Sequence, residues 1–120
     1  DGIRWILEDA FRFVKREVRR GNTYQGLILD PPAYGHGPEG ERWKLDDCLH
    51  ALLQECAHIL AGENAFMVLN LYSNGYSALL ADTLARASFP ANGNYTFGEL
   101  YLKDDYGKRL PLSVFSRIEL

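Results

Sequence analysis

Two consecutive prolines, Pro31 and Pro32, close the apolar run Leu27-Ile28-Leu29 through a single acid, Asp30. Proline has no N–H to give to a sheet ladder, fixes its own φ and keeps the residue before it extended. A strand over Tyr24 to Leu29 must therefore end at Asp30, which holds the acid at the carboxyl end of the strand. With neighbouring carbonyls turned out of the ladder, an acid there suits a cationic or amino-bearing ligand. It can also orient an exocyclic amine that has to lose a proton. A strand terminator that caps the following turn satisfies the same residues, because Asp-Pro is common in turns. The tetrapeptide leaves both readings open.

The rest of the chain alternates strand and helix patterns. Ile3 to Leu7 (IRWIL) reads as a short buried strand. Ala10 to Arg20 reads as a helix with Ala10, Phe11, Val14 and Val18 on one face, capped by Asp9 and stopped at Gly21-Asn22. Pro31 to Trp43 has the composition of a loop. Apolar residues at helical spacing then run from Leu45 to Leu60, with Gly62 as the stop. Ala65 to Leu71 (AFMVLNL) is nearly continuous, as expected of a strand covered on both faces. Tyr76 to Ala87 reads as a helix. Thr96 to Leu102 and Leu112 to Ile118 follow with only the turn-like DDYGK between them, so they form an antiparallel hairpin. Strand–helix repeats closed by a hairpin predict a three-layer α/β sandwich. In open α/β sheets ligands sit beyond the carboxyl ends of strands. Three such ends here carry polar residues: Glu8-Asp9, Asp30-Pro31-Pro32 and Tyr72-Ser73-Asn74.

With 120 residues the chain holds one domain at most, and its net charge of −3 marks no nucleic-acid field, so nucleic-acid binding would need a local patch or another domain. Cys48 and Cys56 lie on one predicted helix at a spacing that suits neither a disulfide framework nor a metal site; they read as reduced core thiols of a cytoplasmic protein. No apolar run reaches membrane-spanning length. The sequence starts at Asp1, already inside an apolar segment, which reads as a piece of a longer protein.

The order strand–EDAF–helix, strand–LDPPAYG–loop–helix, strand–LYSN–helix, with its closing hairpin, resembles the class I S-adenosylmethionine-dependent methyltransferases, whose sheet is Rossmann-like. More narrowly, LDPPAYGHG followed by GERWKLDD is similar to the large-subunit ribosomal-RNA base methyltransferases. The resemblance runs from Ile3 to the hairpin. It implies S-adenosyl-L-methionine as cofactor, an RNA partner and no metal. Asp9 then matches the acid that accepts from the adenine amine, Ala10 the residue whose N–H meets the ring, and Phe11 an apolar neighbour. A carboxylate can only accept and an exocyclic amine donates, so the pairing is chemically consistent; Asp9 can serve as N-cap at the same time. Asp30 matches the motif acid near the methionine end of the cofactor and the target base. Pro31, Pro32 and Tyr34 match the slot for a flipped base, with ordinary loop packing the competing role for Tyr34. Arg42 and Lys44, beside the motif loop, are placed for a substrate backbone. Ser73 and Asn74 occupy the corresponding end of the next strand.

Two departures from the family pattern carry information. No Gly-rich turn or following acid exists to cradle the methionine and ribose, so the first two strands of the family's sheet are missing and the chain matches the C-terminal part of the domain. Methylation of a pyrimidine C5 needs a thiolate to add to C6; the relatives that do it carry a Cys where this chain has Tyr72, Ser73 and Asn74. The Lys-Asp-Lys-Glu set of ribose 2′-O transfer is absent too. A base nitrogen remains as the acceptor. Rival readings are a DNA or protein-glutamine amino methyltransferase, against which Ala33 counts by intervening before the aromatic, and a non-catalytic binding domain. Among weaker signals, His36 has the chemistry to contact phosphate or act as a base, and His50 and His58 are too far apart on one helix for a paired metal site. Arg12, Lys15, Arg16, Arg19 and Arg20 form a basic helix surface that suits either RNA or plain solvation.

Overall fold

Asp9 begins the first helix as the sequence requires. Its carboxylate accepts from the Arg12 N–H at 2.8 Å, and α1 runs over Ala10–Arg20 until Gly21 turns the chain at φ 69°. That left-handed conformation is open to glycine at no steric cost. The computed structural model describes residues 2–72 and 75–120. Their remaining elements are β1 (Gly26–Leu29), β2 (Tyr34–His36), β3 (Arg42–Lys44), α2 (Leu45–Ile59), β4 (Phe66–Leu71), α3 (Ala78–Ser88), β5 (Asn94–Lys103) and β6 (Arg109–Glu119).

The main sheet has the order β1-β4-β6-β5, with β1 parallel to β4 and the β5–β6 hairpin antiparallel. Leu27 pairs with Met67 and Leu29 with Leu69, so their side chains share a face with Ile118 of β6. That face carries the core. Met67, Leu69, Leu71, Val114 and Ile118 join Leu49, Leu53 and Cys56 of α2, Ala81 and Ala85 of α3 and Val14 of α1 in one cluster. Burying each large apolar side chain contributes about 1.5–3 kcal/mol.

This is the expected α/β architecture with its antiparallel closing hairpin, but of the three expected layers the described residues fill two. All three helices share the one core cluster, and the opposite face of the sheet keeps Ile28 at 75% exposure and Phe66 exposed. Accordingly β4 buries alternate residues only, rather than both faces as its apolar run suggests. Ile3 to Leu7 does not form the expected strand: it is unpaired, and Trp5 is 88% exposed. An extended apolar segment needs a neighbouring ladder to become a strand, and β1 pairs only with β4 among the described residues.

Other differences are local. The stretch read as loop contains the β2–β3 ribbon, closed by a tight approach of Gly37 to the Glu41 side chain that a Cβ would obstruct. Helix α2 ends at Ile59, before Gly62, because Leu60 is drawn into a parallel bridge with Tyr24; the Tyr24 N–H donates to the Ile59 carbonyl and the Ala61 N–H to that of Tyr24. Helix α3 starts two positions later than expected, where the Ser77 hydroxyl accepts from the Leu80 N–H. Cys56 is fully buried as expected, whereas Cys48 is only half-buried.

Candidate functional site

Parallel pairing of β1 and β4 brings their carboxyl ends to the same edge of the sheet. Pro31 is buried just beyond β1 and ends the ladder there. The chain then turns through Ala33 into β2 and returns along β3 to α2. Two hydrogen bonds pin this turn. Trp43 Nε1 donates to the Pro32 carbonyl at 2.6 Å, and the Leu45 N–H donates to the Ala33 carbonyl at 3.0 Å. The carbonyls of Pro32 and Ala33 are therefore engaged inside the chain rather than turned toward a ligand.

Between this turn and the start of α1 lies a cavity of about 560 Å³. One wall is Leu7, Glu8, Asp9, Ala10 and Phe11; the other is Ile28 to Pro32; Gly35 to Pro38 and Trp43 complete it. The EDAF and DPP segments, a strand and a helix apart in sequence, thus meet across one space. Its volume falls in the range of small-molecule sites, and its lining is largely apolar with few polar groups. Asp9 uses Oδ1 as the helix cap, and Oδ2 has no partner among the described residues. The N–H groups of Ala10 and Phe11 belong to the first turn, which has no intrahelical acceptors to offer them. A carboxylate oxygen and free helix-end donors beside apolar walls suit a flat, amine-bearing heterocycle.

The ribbon arranges a second group. Tyr34 pairs with Lys44 and His36 with Arg42 across β2–β3, so all four side chains share one face. Tyr34 is 72% exposed there. Gly35 and Trp43 take the other face, and Trp43 packs on the core. An exposed aromatic ring flanked by cations suits a stacked base and its phosphates. Lys44 also lies 3.7 Å from Asp47.

Not every sequence candidate gathers here. Ser73 and Asn74 lie outside the described residues. The basic surface of α1 is largely neutralised: Arg12 pairs with Glu39 at 2.6 Å and Glu41 at 3.5 Å, Arg16 with Glu8, and Arg20 with Glu17. Glu17 is buried and accepts from Asn22, Tyr24 and Arg20; the hydrogen bonds from Asn22 and Tyr24 hold its carboxyl below the usual range. Burial pushes the Cys56 thiol up to about 12, which removes it as a nucleophile near neutral pH. No cluster of His, Cys, Asp and Glu that could hold a metal exists among the described residues. None of their helices is long and apolar enough to cross a membrane.

Sequence reasoning missed two participants at this site, Trp43 and Asn70, and one paired tyrosine away from it. Trp43 reads as a loop aromatic, although it anchors the motif. Asn70 of β4 donates through Nδ2 to Asp30 Oδ1 at 2.7 Å; as the one polar residue inside an apolar run it was a detectable signal. Tyr76 donates to Asp46 beside a second cavity of about 450 Å³, and burial together with that bond raises its phenol to about 12.

No protein-family model matches the chain, and no curated protein does. Solved structures do. The chain is similar to the SAM-dependent methyltransferase from Agrobacterium tumefaciens, with 41% identity and a TM-score of 0.91 over 98% of this chain and 40% of that one. It is also similar, at 20% identity, to a candidate methyltransferase solved with SAH, with a TM-score of 0.66 over 92% of this chain and 30% of that one. A candidate SAM-dependent methyltransferase from Streptococcus mutans gives 20% identity and a TM-score of 0.64, over 92% and 29% of the two chains. The fold of the chain is therefore that of a segment of these methyltransferases, and it spans two-fifths or less of their length.

Proposed function

We propose that this protein is an S-adenosylmethionine-dependent methyltransferase that acts on a nitrogen of an RNA base, in ribosomal RNA and in the cytoplasm. In this reading residues 1–120 are the C-terminal part of its catalytic domain. The observation that carries the proposal is the cavity shared by Asp9-Ala10-Phe11 and Asp30-Pro31-Pro32. The motif resemblance and the solved structures of similar fold point to the same cofactor.

In this reading Asp9 Oδ2 accepts from the adenine amine, the Ala10 N–H meets the ring, and Phe11 supplies apolar contact. The cofactor, when bound, supplies an electrophilic methyl group on a sulfonium. Asp30 stands at the other side of the cavity, with Oδ1 held by Asn70 and Oδ2 left to accept from an exocyclic amine. Accepting that hydrogen bond orients the nitrogen lone pair and draws off the proton as the amine becomes more acidic. Positioning of this kind supplies most of what an in-line displacement needs. Pro31, Pro32 and Tyr34 form the slot for the base, with Arg42 and Lys44 on the Tyr34 face for the flanking phosphates. Ser73 and Asn74 are proposed as further substrate contacts on the family pattern alone.

The test is calorimetry of the full protein with S-adenosylmethionine, followed by transfer of a labelled methyl group to RNA, DNA and protein in parallel. The expected result is saturable cofactor binding and label in RNA, recovered as an N-methylated base. Absence of cofactor binding would point to the non-catalytic alternative and refute the proposal. Label confined to DNA or to a glutamine side chain would refute the substrate class.

A further inference from the structure

We infer that Asn70 and Ser113 are positioning residues for Asp30, forming a relay across three strands that sets the direction of its carboxylate. The inference rests on the reading above, in which Asp30 meets the reacting amine. Pairing of Leu29 with Leu69 places residue 30 beside residue 70 where β1 gives way to the prolines. Asn70 pairs in turn with Phe115 of β6, and Ser113, two positions before Phe115, lies on the same face. The Ser113 hydroxyl donates to Asn70 Oδ1 at 2.6 Å, and Asn70 Nδ2 donates to Asp30 Oδ1 at 2.7 Å.

The chemistry of the three groups permits one arrangement. An amide has a donor end and an acceptor end, and a carboxylate at the strand end accepts only. Turning the amide over would set its oxygen against the acid. The Ser113 hydroxyl, which can donate or accept, follows the orientation that the carboxylate sets and donates to that oxygen, holding the amide from the far side. The bond to the carboxylate is charge-assisted and stronger than a neutral one. Asp30 itself is exposed, and the prolines hold its backbone but leave its side chain free to turn. The relay removes that freedom: it takes Oδ1 and leaves Oδ2 for the cavity that Asp30 lines. Asn70 and Ser113 are half-buried on the face of the sheet that the helices leave uncovered. Neither residue contributes to the apolar core. A polar pair retained in mid-strand, joined to the motif acid, is thereby accounted for.

The relay is tested in the full protein with a shape-matched pair of variants. Ser113→Val and Ser113→Thr have the same outline and both suit a strand; only the second keeps a hydroxyl. Ser113→Val should lower kcat about tenfold with KM for RNA and cofactor affinity unchanged, and Ser113→Thr should restore most of that loss. Asn70→Asp, which sets a second carboxylate against Asp30, should lower kcat further. An activity-independent readout comes from the side-chain amide of Asn70 in NMR spectra. One of its protons should be shifted downfield and exchange slowly in the unvaried protein, and lose both properties in Asp30→Ala. Equal kcat for the Val and Thr variants of an active enzyme would overturn the relay alone. So would an Asn70 amide that does not respond to Asp30→Ala. A protein that transfers no methyl while the amide still senses Asp30 would overturn the methyl-transfer reading and the catalytic purpose of the relay with it.

Discussion

Asp9 has two separable duties, and the difference between asparagine and alanine at this position isolates them. Its Oδ1 caps α1 through the Arg12 N–H, while Asp9 also lines the cavity, and the proposed function assigns its second oxygen, Oδ2, to the adenine amine. Asparagine caps a helix about as well as aspartate, with the carbonyl oxygen turned to the N–H. Its amide nitrogen then faces the cavity, a donor against the donor of the ligand. Asp9→Asn should therefore cost little stability, about 0.3–1 kcal/mol from the lost charge at the helix N-terminus. It should cost about 1–3 kcal/mol of cofactor affinity, the penalty for leaving a buried amine unpaired, which is roughly a fivefold to 150-fold rise in Kd. Asp9→Ala should lose the same affinity and, in addition, about 1 kcal/mol of stability as the cap goes. Denaturant unfolding and calorimetry with S-adenosylmethionine, both on the full protein, measure the two quantities independently. Unchanged affinity in Asp9→Asn would refute the amine contact even if Asp9→Ala weakened binding, because the loss would then come from a frayed helix end.

Three further outcomes are expected. Asp30→Ala should lower turnover far more than stability: the side chain is exposed and its loss removes one charge-assisted hydrogen bond, worth about 1.5–3 kcal/mol at most, so a variant that unfolds while its folded fraction stays fully active would refute the role. Replacing Cys48 and Cys56 with Ala should leave methyl transfer by the folded protein intact, and no covalent adduct should form with a 5-fluoropyrimidine RNA; an adduct lost on either substitution would overturn the nitrogen acceptor. Glu17 should tie stability to acid pH. Its folded pKa is lowered, so its contribution is complete above the ordinary carboxylate value of 4.5 and is lost as pH falls toward the lowered folded value. Urea midpoints measured across the acid range should fall less steeply in Glu17→Gln; identical slopes would show that the cluster with Asn22 and Tyr24 does not form.

The features legible in the amino-acid sequence are those that local rules govern. The cap at Asp9, the stop at Gly21, the end of β1 at Asp30 and the β5–β6 hairpin each depend on residues within a few positions of one another. Such features carry their own chemistry: a side-chain acceptor, a missing Cβ, a missing N–H, a short turn. The fate of Ile3 to Leu7 could not be read that way. An apolar run becomes a strand only when a partner ladder lies beside it, and the run alone does not say whether one does. Glu17 was hidden for a related reason. Its spacing from Ala10 and Val14 sets it at the edge of the apolar face of α1, where an acid is out of place, and only the fold shows that Asn22, Tyr24 and Arg20 come back over it to satisfy it.

The candidate site divides along the same line. The residue types and the order of EDAF and DPP along the chain are properties of the sequence, and they were enough to select Asp9 and Asp30. That the two face one cavity depends on how α1 and the motif ribbon pack on the sheet. Trp43 reaching Pro32, and Ser113 reaching Asp30 through Asn70, depend on strand register between segments far apart in the chain. Register is settled by the alternation of buried residues across the whole sheet, a sum over many contacts that no short stretch contains. The sequence by itself determined which acids are available and where their strand and helix ends fall. Only the tertiary structure decided which oxygen of each acid is already taken by a partner within the chain.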